Sequence, residues 1–128
     1  LRAPGPAHCH TSAVQLMALF RNGRPLDARV LACESWFERA RGLLGRRLTG
    51  RNHVLLIRPC SGVHTVGMRY RIDVVFSRAD GTVLRCVRGL EPGRAAWAHG
   101  ADAAWEMPAG ECARLAIRVG DRLTAQRD

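Results

Sequence analysis

The 128-residue chain contains no lysine, although it has 20 basic residues, all of them arginine. Its formal net charge is +9, yet the arginines are spread along the whole chain and only seven residues are aromatic. Proteins that bind nucleic acid usually combine clustered basic residues with aromatic side chains that stack on bases. The charge therefore indicates a general preference for arginine, and nucleic acid is not the partner that the composition favours.

Long apolar runs are also absent. No stretch approaches the roughly 18 apolar residues that a membrane-spanning helix needs, and the first residues lack the basic and apolar blocks of a signal peptide. The five cysteines are odd in number and include no C-x-x-C pair, so neither a disulfide framework nor a zinc knuckle is indicated. These features predict a cytoplasmic protein with reduced thiols and no membrane span.

The length is typical of a single domain. Residues 1–12 contain two prolines, one glycine and no periodicity, which predicts a disordered tail before a single β-rich domain over residues 13–128. Three adjacent metal-ligand types, His8-Cys9-His10, occur in this tail, but donors on a flexible segment rarely form a closed site. No metal and no cofactor is predicted.

Turn signals and apolar runs predict most of the elements. Asn22-Gly23, between two apolar runs, predicts a hairpin with Pro25 at an edge position, and Ala79-Asp80-Gly81 predicts a second hairpin. The other predicted elements are strands at His53–Arg58, Ile72–Ser77, Ala103–Met107 and near Leu123, and short helices at Trp36–Leu44 and Glu111–Ile117. Strands at roughly ten-residue spacing predict a mainly β (α+β) fold, an antiparallel barrel or sandwich with two short helices.

The segment from Cys60 to Phe76 combines polar residues with a strand-forming run. Alternation along this run predicts that Tyr70 and Ile72 face the core together with Val74 and Phe76. Asp73 then belongs to the other face. It is expected either to pair with Arg71 on a wet face or to accept hydrogen bonds from backbone amides, because an unpaired buried carboxylate is unfavourable.

Several short motifs occur in a fixed order along the chain. They are E-R-A-R-G-L (Glu38–Leu43), H-T-x-x-M (His64–Met68), I-D-V-V-F (Ile72–Phe76), E-M-P-A-G (Glu106–Gly110) and G-D-R-L (Gly120–Leu123). In these motifs the chain resembles, over about residues 30–124, the domain-of-unknown-function family numbered 192, which comprises small uncharacterised bacterial and archaeal proteins. The family has no established activity, so the resemblance does not indicate what the protein does.

The resemblance does suggest that its polar motif residues surround one cleft. We therefore predict a pocket near the His64–Thr65 loop that binds a small molecule or a partner peptide. The predicted ligand-binding residues are His64, Thr65, Met68, Asp73 and Glu106.

Other functions remain open at this stage. His64, Asp73 and Glu106 have the chemistry of general acid–base groups or metal ligands, which would suit a hydrolase-like or metal-assisted enzyme. Cys60 and His64 form a potential nucleophile and base. A further alternative is an arginine-rich nucleic-acid-binding or structural scaffold, with its basic residues clustered at Arg39, Arg41, Arg46, Arg47 and Arg51.

Overall fold

The computed structural model describes residues 16–33 and 52–127 of the chain. Its elements are β1 (Leu16–Arg21), β2 (Arg24–Cys33), β3 (His53–Ile57), β4 (Gly62–His64), β5 (Ile72–Ser77), β6 (Val83–Leu90), β7 (Ala95–Trp97), β8 (Ala103–Pro108), α1 (Glu111–Arg114) and β9 (Leu123–Gln126). The predicted mainly β fold is confirmed. The predicted tail, the helix at Trp36–Leu44 and the arginine cluster lie outside the described residues. None of the described helical segments is long and apolar enough to cross a membrane.

Seven of these strands form one mixed sheet in the order β6-β5-β8-β3-β2-β1-β9, while β4 and β7 pair in a separate small sheet. Strands β2 and β3 are parallel, and the other neighbouring strands are antiparallel. The expectation of an antiparallel sheet is therefore wrong at this one pair. Residues 34–52 connect the two strands, more than the dozen or so residues that a parallel crossover requires.

The sheet is not closed into the predicted barrel. Its two edge strands meet through a single isolated bridge between Thr82 and Arg122. The Val83 amide donates to the Asp121 carbonyl at 2.8 Å beside this bridge. Because β6 and β9 do not otherwise pair, the edges touch at one end and the sheet stays open.

Both predicted hairpins are confirmed. Asn22 and Gly23 have φ angles of 54° and 83°, as a type I′ turn requires, and β1 pairs with β2 around them. Gly81 has a φ of 96° in the turn between β5 and β6. Strand β2 lies inside the sheet, but it pairs with β3 only from Arg29 onward. Pro25, which has no N–H, therefore lies on a part of β2 that β3 does not reach.

The large sheet is buried on both faces. We call one the Glu106 face, because Leu55 and Val74 lie directly opposite Glu106 in the neighbouring strands. It packs against the small sheet, and its buried cluster comprises Leu31, Leu55, Ile57, Val63, Met68, Ile72, Val74, Phe76, Leu90, Ala96, Ala98 and Ala104. We call the other the Asp73 face, since Asp73 lies opposite Met107. Its cluster includes Val30, Val54, Leu56, Val75, Trp105, Met107, Cys112, Leu115 and Ile117.

Two aromatic residues differ from expectation. Tyr70, predicted to be in the core, is 39% exposed because it precedes β5 and does not share the alternation of that strand. The connection over residues 89–100, which contains one proline and three glycines, predicts a long loop that covers the core with Trp97. Trp97 is instead 65% exposed at the end of β7. The small sheet instead buries Val63 and Ala96, the central residues of its two strands.

Candidate functional site

Glu106 lies in the middle of β8 with its carboxyl on the Glu106 face of the large sheet. The side chain is only 2% exposed, and apolar residues lie opposite it on both sides. No hydrogen-bond partner for its Oε2 atom is found among the described residues. Buried polar atoms in folded proteins almost always have partners, so each exception needs an explanation.

The protonation of Glu106 reflects this environment. Burial alone raises the pKa of its carboxyl from 4.5 to about 8, because a low-dielectric surrounding disfavours the charged form. At neutral pH the side chain is therefore mostly a neutral acid. A neutral carboxyl group both donates and accepts a hydrogen bond, so it is suited to a ligand that offers the complementary pair.

Cys60 is a neighbour of Glu106. Burial raises the pKa of the Cys60 thiol, and the negative charge of Glu106 adds to this rise. The Cys60 thiol donates to the Gly62 carbonyl at 3.1 Å. A raised pKa leaves little of the thiolate that acts as a nucleophile, so the surroundings of Cys60 do not favour a nucleophile–base pair of Cys60 and His64.

Asp73 occupies the opposite face and is fully hydrogen-bonded. Its Oδ1 accepts from the Gly89 amide at 2.9 Å, and its Oδ2 accepts from the amides of Gly110 and Cys112 at 2.9 and 3.0 Å. Of the two arrangements expected for this carboxylate, the one with backbone amides is confirmed. Asp73 thus connects β6, β5 and the start of α1.

Thr65 is completely buried and holds the connection between β6 and β7. Its hydroxyl donates to the Glu91 carbonyl, while the Arg94 amide donates to the Thr65 hydroxyl at 2.9 Å. The Met68 amide donates to the Thr65 carbonyl at 3.0 Å. Thr65 and Met68 therefore shape the loop beside the small sheet.

His64 ends β4 on its outer side. Strand alternation directs Val63 into the core and His64 into solvent, and the Val66 amide donates to the His64 Nδ1 at 3.4 Å. The histidine is therefore at the surface of the loop, whereas Glu106 is buried on the Glu106 face of the large sheet.

The structure divides the five predicted ligand-binding residues. Glu106, Met68 and the Thr65 loop belong to one side of the large sheet, and Asp73 belongs to the other. Across residues 16–33 and 52–127, no three His, Cys, Asp or Glu side chains lie close enough to hold a metal ion, so His64, Asp73 and Glu106 do not converge as a metal site. The ligand-binding role of the five residues stays a prediction.

A cavity of about 180 Å³ lies on the Asp73 face, where the sequence indicated no site. The Trp105 indole N–H donates to the Ser77 hydroxyl at 2.9 Å in its wall, and Arg58, Asp80 and Asp102 also line it. These residues come from separate segments of the chain, so no motif could reveal the cavity. It is smaller than the roughly 300 Å³ at which pockets for drug-sized ligands begin.

A protein-family model matches most of the chain. The model is DUF192, described as an uncharacterised ACR, and it covers residues 17–125. The chain belongs to this family. The match includes Thr65, Asp73 and Glu106, and it confirms the resemblance inferred from the motifs. No curated protein matches the chain.

Two solved structures are similar to this DUF192 chain. One is a protein of unknown function from Novosphingobium aromaticivorans, with 22% identity, a TM-score of 0.73 and coverage of 89% of this chain and 88% of that one. The other is a candidate transcription regulator from Sinorhizobium meliloti, with 21% identity, a TM-score of 0.74 and coverage of 91% of this chain and 98% of that one. At this identity the likeness establishes a shared fold alone.

Proposed function

We propose that the protein binds a small molecule on the Glu106 face of the large sheet, beside the His64–Thr65 loop. The observation that carries this proposal is the buried Glu106 carboxyl, whose Oε2 has no partner in the described part of the chain. A buried polar group without a partner lowers stability by about 1 to 3 kcal/mol. Groups that fulfil a binding role are often retained despite such a loss.

The chemistry of the surroundings suggests the class of ligand. Leu55, Val74 and Met68 offer apolar contacts on this face, and the Glu106 carboxyl offers one donor and one acceptor while it is protonated. We expect a small, mostly apolar molecule that carries an amide or a carboxylic acid. A short peptide that presents one buried amide would satisfy the same requirement.

The neutral form of Glu106 gives the proposal a pH dependence. Because the pKa of this carboxyl is raised to about 8, the donor hydrogen is present at neutral pH and is lost as the pH rises above that value. Binding of a neutral amide should therefore weaken above about pH 8. The strength of binding to a ligand that pairs with the charged form would instead increase.

A thermal-shift screen of the full chain tests the proposal. The library would contain small apolar amides, carboxylic acids and short peptides, and the variants would be Glu106→Met and the exposed control Glu91→Gln. A ligand at a hundred times its Kd stabilises a protein by about 2.7 kcal/mol. We expect such shifts for the wild type and the control and none for Glu106→Met, whose own melting temperature should be unchanged or higher.

Two results would contradict the proposal. In one, Glu106→Met responds to the same compounds as the wild type. In the other, Glu106→Met melts at a much lower temperature and no compound shifts the wild type, which would make the carboxyl part of the scaffold.

A further inference from the structure

Two of the described cysteines lie side by side on the Asp73 face, away from Glu106. Cys86 is in β6 and Cys112 is in α1. Both thiols point at one acceptor, because the Ile117 carbonyl lies 3.9 Å from the Cys86 sulfur and 3.6 Å from the Cys112 sulfur. Each thiol also shifts the pKa of the other.

The fold brings these cysteines together through Asp73. Cys86 lies directly opposite Val75 in the neighbouring strand, and it packs with Val75 on the Asp73 face. The Asp73 carboxylate binds the Gly89 amide in β6 and the Cys112 amide in α1. One carboxylate thus fixes both segments that carry the thiols, so their proximity is built into the sheet.

The charged groups around the pair favour one thiolate. The neighbouring Cys86 thiol lowers the pKa of the Cys112 thiol to about 7, and the Arg88 guanidinium acts in the same direction. The Cys112 thiol correspondingly raises the pKa of Cys86. The negative charge of Asp73 acts to raise the pKa of Cys112, and that of Asp121 acts to raise the pKa of Cys86. The pair therefore loses its first proton easily and its second with difficulty.

We propose that Cys86 and Cys112 are a reactive dithiol that a hydroperoxide oxidises to a disulfide between β6 and α1. The size of the oxidant follows from access to the pair. Cys86 is partly exposed, whereas Cys112 is only 1% exposed, so a small oxidant reaches the sulfurs more easily than a bulky disulfide does. This inference does not depend on the proposed ligand-binding function.

The reaction balances in two steps. The thiolate of the pair attacks one oxygen of the hydroperoxide, the O–O bond breaks, and a sulfenic acid forms while the leaving oxygen takes up a proton as water or an alcohol. The sulfur of the other thiol then attacks the sulfenic sulfur, the S–S bond forms, the S–O bond breaks, and water leaves with the second thiol proton. The two thiols lose two electrons, and the hydroperoxide gains them.

Cys60 provides an internal comparison. It is also partly buried and free, but its thiol donates to a backbone carbonyl, and burial and Glu106 raise its pKa. Among the residues that the structure describes, neither a second thiol nor a guanidinium shifts the pKa of Cys60. Cys60 should therefore react with the hydroperoxide much more slowly than the pair does.

The experiment uses the full chain with Cys9 and Cys33 replaced by serine, so that only the thiols of Cys60, Cys86 and Cys112 remain. The protein is treated with hydrogen peroxide and analysed by intact mass and peptide mapping. We expect the loss of two hydrogens, a cross-link between the peptides of Cys86 and Cys112, and a thiol at Cys60. The rate should rise about tenfold from pH 6 to pH 8, following a pKa near 7.

Three variants complete the test. Cys60→Ser should form the disulfide at the same rate, Arg88→Gln should shift the rate profile to higher pH, and Cys86→Ser should accumulate a sulfenic acid at Cys112 that dimedone traps. Two results would overturn the proposal. One is separate oxidation of the two cysteines without a cross-link, and the other is a rate at Cys60 equal to that of the pair.

Discussion

Asp73 and Glu106 are buried carboxyl groups in adjacent strands of one sheet, and they differ in what surrounds them. Asp73 accepts hydrogen bonds from three backbone amides. Glu106, on the opposite face, has apolar neighbours and an Oε2 atom without a partner among the described residues. Both side chains are almost fully buried, at 1% and 2% exposed.

The contrast separates two reasons for burying a carboxyl group. Three amide donors compensate Asp73 for the loss of water and join distant segments of the chain, which is a structural role. No residue in the described part of the chain compensates the Glu106 Oε2 in this way, which suggests a role other than stability. Burial alone does not distinguish the two residues, whereas their hydrogen-bond partners do.

Among the substitutions compared at neutral pH, the largest effect is expected from Asp73→Ala. The change removes three hydrogen bonds to a charged group and leaves the amides of Gly89, Gly110 and Cys112 without their acceptor. We expect a fall of about 3 kcal/mol in the free energy of unfolding, since unpaired buried groups lower stability by about 1 to 3 kcal/mol each and water will reach some of them. Urea denaturation followed by circular dichroism would measure it.

Asp80→Ala is a matched control for this prediction. Asp80 is an exposed aspartate whose Oδ1 accepts from the Thr82 amide at 2.9 Å, so one accessible bond is lost instead of three buried ones. Its effect should be much smaller. If the two variants lost equal stability, the amides around Asp73 would contribute little and the contrast with Glu106 would disappear.

The sequence predicts the faces of these carboxyl groups better than it predicts their partners. Strand alternation predicts that Asp73 lies on the face opposite Ile72. Because Glu106 sits between Trp105 and Met107, alternation also predicts that it lies on the face opposite those two residues. Both predictions are confirmed. The donors to Asp73 come from Gly89, Gly110 and Cys112, far along the chain. Only the pairing of β5 with β6 and β8 brings them together, and a local pattern does not contain that pairing.

The arrangement of the predicted site residues was harder to predict from the sequence, for a similar reason. The short strands β4 and β7 contain too few residues to give a periodic signal, so the outward direction of His64 could not be foreseen. The hairpins were predictable because Asn22-Gly23 and Gly81 determine their turns locally. The parallel pairing of β2 and β3 and the open sheet depend on distant contacts, which length and turn residues do not specify.

A second test concerns Glu106 and measures how the stability of the protein depends on pH. Its folded-state pKa is raised to about 8 from an ordinary value of 4.5, so the unfolded chain releases this proton first as the pH rises. Below pH 4.5 the neutral acid makes its full contribution to the free energy of unfolding. This contribution is lost progressively as the pH rises to about 8. Relative to Glu106→Gln, the wild type should lose at most about 1.4 kcal/mol per pH unit in this window.

Chemical denaturation of both proteins at a series of pH values would measure this difference. Glu91→Gln, which removes an exposed carboxylate, should follow the wild type. A constant difference between the wild type and Glu106→Gln from pH 4.5 to 8 would mean that Glu106 is already ionised and paired. In that event the contrast with Asp73 would no longer hold.

The smallest effect is expected from Thr65→Val. This variant tests whether the role of a buried polar residue depends on its hydrogen bonds or on the face of the sheet where it lies. Thr65 lies beside the small sheet that covers the Glu106 face, yet its hydroxyl is fully bonded to the Glu91 carbonyl and the Arg94 amide. If hydrogen bonding decides, Thr65 should behave like Asp73, and the nearly isosteric valine should lower the free energy of unfolding by about 1 kcal/mol. Thr65→Ser keeps the hydroxyl and should retain most of those bonds. A Thr65→Val variant as stable as the wild type that nonetheless lost its thermal-shift response to the ligands would instead assign Thr65 to binding, together with Glu106.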